Sequence, residues 1–299
     1  MAEPVADTPV DLDDFDHATA VSGGDGKYIG DVNPAWDGPL TTHGGVLSGL
    51  IVNACEAEVN QDRGRQVRTV SSQYLRPPSH GPVELEVRRL REGRRFVNLA
   101  VELKQNDRLC VTSLVTYANR GIEDLLAFGP KRPECAPAPA REAPTIEPAD
   151  WTGDADGWLG FPEFAPAFFR RTLTAPRFGS PPFLGDTEVG NGPLHTGGWI
   201  RTRAPRRIDD AFLAFIVDIF YPTVLAPLRK PAMAPTLDMT THFRAELPPD
   251  GLEDQALLVF NTTIGAAGGV ADSDSLVFAE DGTLLAQARQ LMLVTGIDT

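Results

Sequence analysis

Between Asp209 and Pro222 the chain reads DDAFLAFIVDIFYP. Phe212, Leu213, Phe215, Ile216, Val217, Ile219 and Phe220 leave a helix here almost no polar face, so other structure must wrap it on most sides. Asp218 is out of place in such a helix, because a buried carboxylate must find donors or take up a proton. Two polar residues lie on downstream segments that read as strands: Thr236 in APTLDMTTHF and Gln290 in LLAQARQLMLV. Residue types alone leave two readings. In one, the acid reaches solvent at a loop edge, the Thr serves β propensity and the Gln lies on an edge. In the other, the three form a catalytic constellation.

At 299 residues and 42% hydrophobic content, the chain holds one large or two ordinary domains with ample core. A formal net charge of −14 argues against general binding to nucleic acid or anionic membrane, which needs a basic footprint. Cys55, Cys110 and Cys135 are odd in number and widely spaced, which disfavours a disulfide scaffold or zinc site and suits a reducing compartment. No metal-ligand spacing or Gly-rich phosphate loop stands out, so no metal or redox cofactor is expected. The acidic start MAEPVADTPVDLDDFDHATAV lacks a signal pattern, and no run reaches the length of a membrane span. The expectation is a cytoplasmic protein.

Residues 1–20 read as a mobile acidic lead-in. GKYIGDVNPAWDG suggests a short strand and a Gly/Pro turn leading to a second apolar helix, HGGVLSGLIVNACEAEV. VRTVSSQYLRP reads as a strand stopped by Pro, and VELEVRRLREG alternates with Val83, Leu85 and Val87 on one face. RRFVNLAVELKQNDRLCVTSLVTYA is a hairpin turning at Gln105, Asn106 and Asp107. Residues 121–150, including GPKRPECAPAPAREAPTIEPAD, are too rich in Pro and Ala for a central strand or a good helix and read as a linker. The pattern then recurs. FPEFAPAFFRR and GGWIRTRAP read as leading strands, and the Asp209–Pro222 helix follows them. APTLDMTTHFRAEL, DQALLVFNTTIGA, DSDSLVFAEDG and TLLAQARQLMLV read as a second sheet.

Such repetition constrains the fold strongly. Laying His43 on Asp209 puts Val46 on Phe212, Leu47 on Leu213, Leu50 on Ile216, Ile51 on Val217 and Val52 on Asp218. YLRP resembles HFRA, with Arg76 on Arg244. NDRL resembles EDGTLL, with Leu109 on Leu284 and Val115 on Gln290. Two copies of one α+β unit are expected, at 21–120 and 151–299, the second polar where the first is apolar.

A helix wrapped by an antiparallel sheet and duplicated in one chain resembles the double hotdog. HGGVLSGLIVNACEA, SSQYLRPPSHGPVELEVRRL, AFLAFIVD, APTLDMTTHFR and EDGTLLAQARQ resemble the type II acyl-CoA thioesterase family, over about residues 25–120 and 195–295. The resemblance implies hydrolysis of an acyl thioester such as acyl-CoA, through a water held by Asp218, Thr236 and Gln290. Hydrolysis needs a base for the attacking water and donors for the oxygen that becomes negative. Backbone N–H groups of Gly44 and Gly45, at a helix start, are candidates for the latter. Arg94 and Arg95, in the run RRLREGRR, are candidates for binding the charged carrier, a solvated strand face being the alternative. His43 reads as a cap on its turn, and the two glycines equally as close-packing positions, because Val52 stands where another HGG-bearing thioesterase branch carries an acid.

Two features pull the other way. Asp272 and Asp274 in AAGGVADSDS would repel a phosphate-rich coenzyme if they face it, and Pro235 constrains the strand at Thr236. The alternatives are a non-catalytic acyl- or acyl-CoA-binding protein and a hotdog enoyl-thioester hydratase. GDVNPAWDG echoes the hydratase motif, but Trp36 stands where an acid/base His is required. Sheet edges and faces of duplicated folds are assembly surfaces, so a homodimer or higher homo-oligomer is a further expectation.

Overall fold

The computed structural model describes residues 14–39, 41–59, 64–147, 157–160, 165–182, 185, 187–190 and 192–297. The N-terminal half runs through α1 (Phe15–Ala18), β1 (Ser22–Gly24), β2 (Lys27–Val32), α2 (Gly44–Val59), β3 (Arg65–Tyr74), β4 (Gly81–Glu92), β5 (Phe96–Gln105) and β6 (Arg108–Asn119). The C-terminal half begins with β7 (Thr145–Ile146), β8 (Trp158–Leu159), α3 (Ala167–Arg170), β9 (Thr172–Phe178), β10 (Leu194–Thr202) and α4 (Asp210–Ile216). It continues with β11 (Ala232–Met233), β12 (Thr236–Phe243), β13 (Leu257–Thr263), β14 (Ala266–Ala267), β15 (Val270–Phe278), β16 (Leu284–Leu293) and β17 (Thr295–Gly296).

Alternation builds the strands. In β4, Val83, Leu85 and Val87 are buried while Glu84, Glu86 and Arg88 face solvent. The β5–β6 hairpin closes at Asn106 and Asp107, whose φ values of 51° and 60° are the left-handed pair of a type I′ turn. The strands join into one sheet in the order β2-β4-β5-β6-β3-β12-β16-β15-β13-β10, extended by β1 at one end and by β9, β8 and β7 at the other. This order reads alike outward from the central β3–β12 pair, which is antiparallel from Gln73↔Asp238 to Thr69↔His242. Each half lays five strands around its own helix, and α2 and α4 pack together in the middle. A Cβ on Gly45 would stand 2.9 Å from both Cα and O of Phe215, so the helices can meet this closely only without a side chain there. The expected double hotdog is present.

Hydrogen bonding repeats along with the strands. Leu75 and Arg76 N–H both donate to Cys110 O, and Arg244 and Ala245 N–H both donate to Leu285 O. Leu75 is thus the counterpart of Arg244, one residue away from the expected Arg76–Arg244 match, while Leu109 and Leu284 correspond as expected. Both arginines follow the last residue of their strands, where the ladder no longer constrains side-chain type.

Three expectations change. The apolar helix stops at Ile216, so Asp218 sits in the turn after it rather than inside it. Asp218 N–H bonds to Phe215 O and Ile219 N–H to Ile216 O, which tightens the end into i→i−3 bonds, and Pro222 bars continuation. FPEFAPAFFRR is not a leading strand: residues 161–164 lie outside the described residues, and its end forms α3. The strand begins past the prolines, at Thr172. The acidic lead-in, whose residues 1–13 lie outside the described residues, is anchored at its end. Phe15 is buried with its ring 5.2, 5.3 and 5.2 Å from those of Trp36, Phe212 and Phe215.

Residues 122–140 form neither helix nor strand, as their prolines require. The later part of this stretch is nevertheless strapped to the C-terminal half. The Trp199 and Trp158 indoles donate to Ala136 O at 2.8 Å and Ala140 O at 2.7 Å, and Arg141 pairs with Asp254. Among the described residues no helix is long and apolar enough to cross a membrane.

Candidate active site

The turn after α4 carries the Asp218 side chain, 14% exposed, to the start of α2. Its Oδ2 lies 3.2 Å from the point a Cβ on Gly44 would occupy, so the absence of a side chain admits the carboxylate. The Gly45 N–H and the Gln290 side-chain amide lie near it and favour its charged form. Gln290, on β16, in turn accepts at Oε1 from the Thr236 hydroxyl at 2.7 Å. That bond assigns the amide orientation: Oε1 faces Thr236, and the N–H side faces Asp218. Pro235 does not turn the hydroxyl aside, because its own carbonyl accepts from Leu293 N–H and holds the strand in the sheet. Burial raises the Asp218 carboxyl above the ordinary carboxylate range, and the polar groups of Gln290 and Gly45 offset this only in part.

His43 stands at the start of α2. Its Nδ1 accepts from Gly45 N–H at 3.1 Å, and its Nε2–H donates to the main-chain O of Asp218 at 3.1 Å. Burial lowers its pKa, so the ring is neutral and its 3.9 Å approach to Asp218 Oδ2 is a contact, not an ion pair. His43 caps its turn as expected, and it also ties the N-terminal helix to the C-terminal turn. The Gly45 N–H proposed for the oxyanion is already engaged by His43 Nδ1.

Two family models match the chain: the acyl-CoA thioesterase N-terminal domain over residues 32–118 and the C-terminal domain over residues 134–294. The chain belongs to the acyl-CoA thioesterase family. An uncharacterized protein of Mycobacterium tuberculosis is 27% identical over 286 residues, or 89% of this chain and 90% of the relative. A hot-dog-fold protein from Alicyclobacillus acidocaldarius superposes with a TM-score of 0.75 at 22% identity, covering 95% of this chain and 98% of that one. An acyl-CoA thioesterase II from Mycobacterium marinum gives 0.67 at 19% identity, covering 95% and 99%. At these identities the structural likenesses speak for the fold.

Within this family member the two halves are not equivalent. The ladder pairs Met239 with Gln290 as it pairs Val70 with Val115, and the β12 register shift at Thr236/Asp238 matches that of β3 at Val67/Thr69. The counterparts of Asp218, Thr236 and Gln290 are therefore Val52, Val67 and Val115, all buried. One site is polar, and its twin is filled with valine.

The other candidate residues lie elsewhere. Arg94 and Arg95 are exposed in the β4–β5 turn, where their carbonyls accept from Asn119. Asn119 pairs with Arg65, the first residue of β3, whereas the site lies by Tyr74, its last. Nine residues of strand, roughly 30 Å, separate the two ends, so the structure does not bring these arginines to Asp218. Asp272 and Asp274 pair in register with Leu291 and Arg289, while Ser273 pairs with Gln290. Strand alternation puts the two acids on the opposite face from Gln290, where Arg289 bridges both at 3.5 and 3.3 Å. Trp36 is core, 1% exposed, with its ring against Phe15 and Phe215. Among the described residues no group of three or more His, Cys, Asp or Glu is arranged to hold a metal ion. Sequence reasoning passed over Ser48 and Tyr74, whose hydroxyls meet at 2.8 Å beside Gly44.

Proposed function

We propose that the protein hydrolyses acyl thioesters, acyl-CoA foremost, with Asp218, Thr236 and Gln290 holding the attacking water. The observation that carries this reading is that the Thr236 hydroxyl bonds Gln290 Oε1 at 2.7 Å while the Gln290 amide acts on the buried Asp218 carboxyl and favours its charged form. Asp218 takes a proton from the water as its oxygen bonds to the carbonyl carbon, and the carbonyl π pair moves onto oxygen. Gln290 and Thr236 fix the water's position, a source of rate in itself. As the carbon–sulfur bond breaks, the thiolate recovers the proton from Asp218, leaving a carboxylic acid and a free thiol. A carboxyl raised by burial suits both transfers, being a stronger base than an ordinary carboxylate. The outward position of Asp272 and Asp274, paired with Arg289, removes the main argument for a binding protein without turnover.

The test is thiol release from acyl-CoAs between acetyl and palmitoyl, with wild type and Asp218→Asn in parallel. Asp218→Asn should fold and lose about 10²- to 10⁴-fold in kcat, the range for removal of a general base. Thr236→Ala should lose less, because Gln290 still orients the water. Equal rates in wild type and Asp218→Asn would overturn the mechanism. No release from any substrate by folded wild type would overturn the activity.

A further inference from the structure

The oxygen that gains charge in this reaction needs a donor, and the Gly45 N–H is directed at His43 Nδ1. A different donor lies beside them. Tyr74 is the last residue of β3, on the same face as Val70 and Ser72 by strand alternation. Its Cε1 and Cζ stand 3.5 and 3.7 Å from the point a Cβ on Gly44 would occupy, the same point that Asp218 Oδ2 approaches to 3.2 Å. Phenol and carboxylate therefore flank one glycine.

The phenolic oxygen is supplied with donors of its own. Ser48 Oγ lies 2.8 Å away, and the Ser72 hydroxyl, bonded at 2.7 Å to Ser113, is near enough to act on the phenol. With the Tyr74 hydrogen directed at Gly44 O, Ser48 is the donor in the Ser48–Tyr74 bond and the phenol's single hydrogen is left for an acceptor. The acceptor it meets is Gly44 O at 3.4 Å, long for an O–H···O bond and readily outcompeted by a better acceptor. Burial first, and the Asp218 charge second, raise the Tyr74 pKa, so the phenol stays protonated and acts as a neutral donor.

The repeat argues the same way. Strand correspondence gives Tyr74 the counterpart Phe243, and helix correspondence gives Ser48 the counterpart Ala214. Both hydroxyls occur on the side of the polar site, and both are missing beside the valine-filled twin. A residue retained only for packing has no need of that difference.

We propose that Tyr74 is a catalytic residue of this site, its O–H donating to the thioester carbonyl oxygen as that oxygen becomes negative, with Ser48 and Ser72 holding the phenol in place. The inference rests on thioester hydrolysis at Asp218. No proton leaves the phenol: the water's proton goes to Asp218 and then to the departing thiolate, while Tyr74 only strengthens its hydrogen bond.

Tyr74→Phe keeps the ring and removes the donor. On whichever acyl-CoA the wild type cleaves fastest, kcat should fall about 10- to 100-fold, below the full effect of an oxyanion donor because others can share the load, with KM changed less than about threefold. In a second test the residue is replaced by 2,3-difluorotyrosine, which preserves the packing and lowers the phenol pKa. A new basic limb should appear in the kcat profile, because the phenolate cannot donate. Wild-type kcat in Tyr74→Phe, or a difluorotyrosine profile identical to wild type, would overturn the assignment while an inactive Asp218→Asn left the hydrolytic reading standing. Absence of thiol release from wild type would remove both.

Discussion

Asp218 is a carboxylate whose ionisation is set by burial and by the polar groups of Gln290 and Gly45 beside it. Burial dominates and raises its pKa, which has two consequences of definite sign. The base must be deprotonated to act, so kcat/KM should fall as pH drops through a value above the ordinary carboxylate range, and this acidic limb should be measurable with a stable acyl-CoA substrate. In stability the sign is opposite. Between the unfolded pKa and the raised native pKa, the folded chain holds a proton that the unfolded chain has lost, so stability falls as pH rises through that window. Asp218→Asn, which mimics the protonated acid, should have a higher Tm than wild type at pH 7 to 8 and the same Tm near pH 3. A Tm difference independent of pH would show that charge burial is not its cause.

At the scale of elements, the site depends on how α2 meets the turn after α4. α2 runs for 16 residues and α4 for seven, and it is the early end of α4 that lets the chain swing Asp218 toward Gly44 and Gly45. Gly45→Ala would push a methyl into Phe215 Cα and O at 2.9 Å, a backbone contact that cannot rotate away. A loss of about 1 to 3 kcal/mol is expected from such overpacking, measurable by urea unfolding, together with reduced kcat because the helices separate at the site. At the far end of the same helix pair, Gln66 donates to Asp210 Oδ1 at 2.9 Å and accepts from Leu247 N–H at 3.2 Å, so a buried amide again links the halves.

Across the whole molecule, the halves share one sheet through β3–β12 and one helix pair, while the chain between them is exposed at Leu125, Leu126 and Phe128. Exposed backbone with large apolar side chains and no ladder is a good protease target. Brief chymotrypsin treatment should cut there, yet the two pieces should elute together and keep most of the thiol-releasing activity. Separation of the pieces, or loss of activity on cutting, would mean that the connection itself holds the site.

Sequence alone determined what periodicity and burial can express. Apolar helices followed by alternating strands, occurring twice, specified the duplicated fold, and two of the polar residues intruding on that apolar pattern were legible because each broke it, Asp218 against Val52 and Gln290 against Val115, whereas the match of Thr236 with Val67 came only from strand register. The tertiary structure decided matters of direction and distance. Arg94 and Arg95 looked like carrier-binding residues until the sheet put them at the other end of β3. Asp272 and Asp274 looked repulsive until strand register turned them away. Tyr74 and Ser48 went unnoticed because a tyrosine ending a strand and a serine in a helix break no pattern. Their hydroxyls become a pair only when β3 and α2 pack, and they face the carboxylate only because α4 ends two residues before Asp218. A linear pattern records which residues are buried; which buried groups touch is fixed by where helices stop and how strands register.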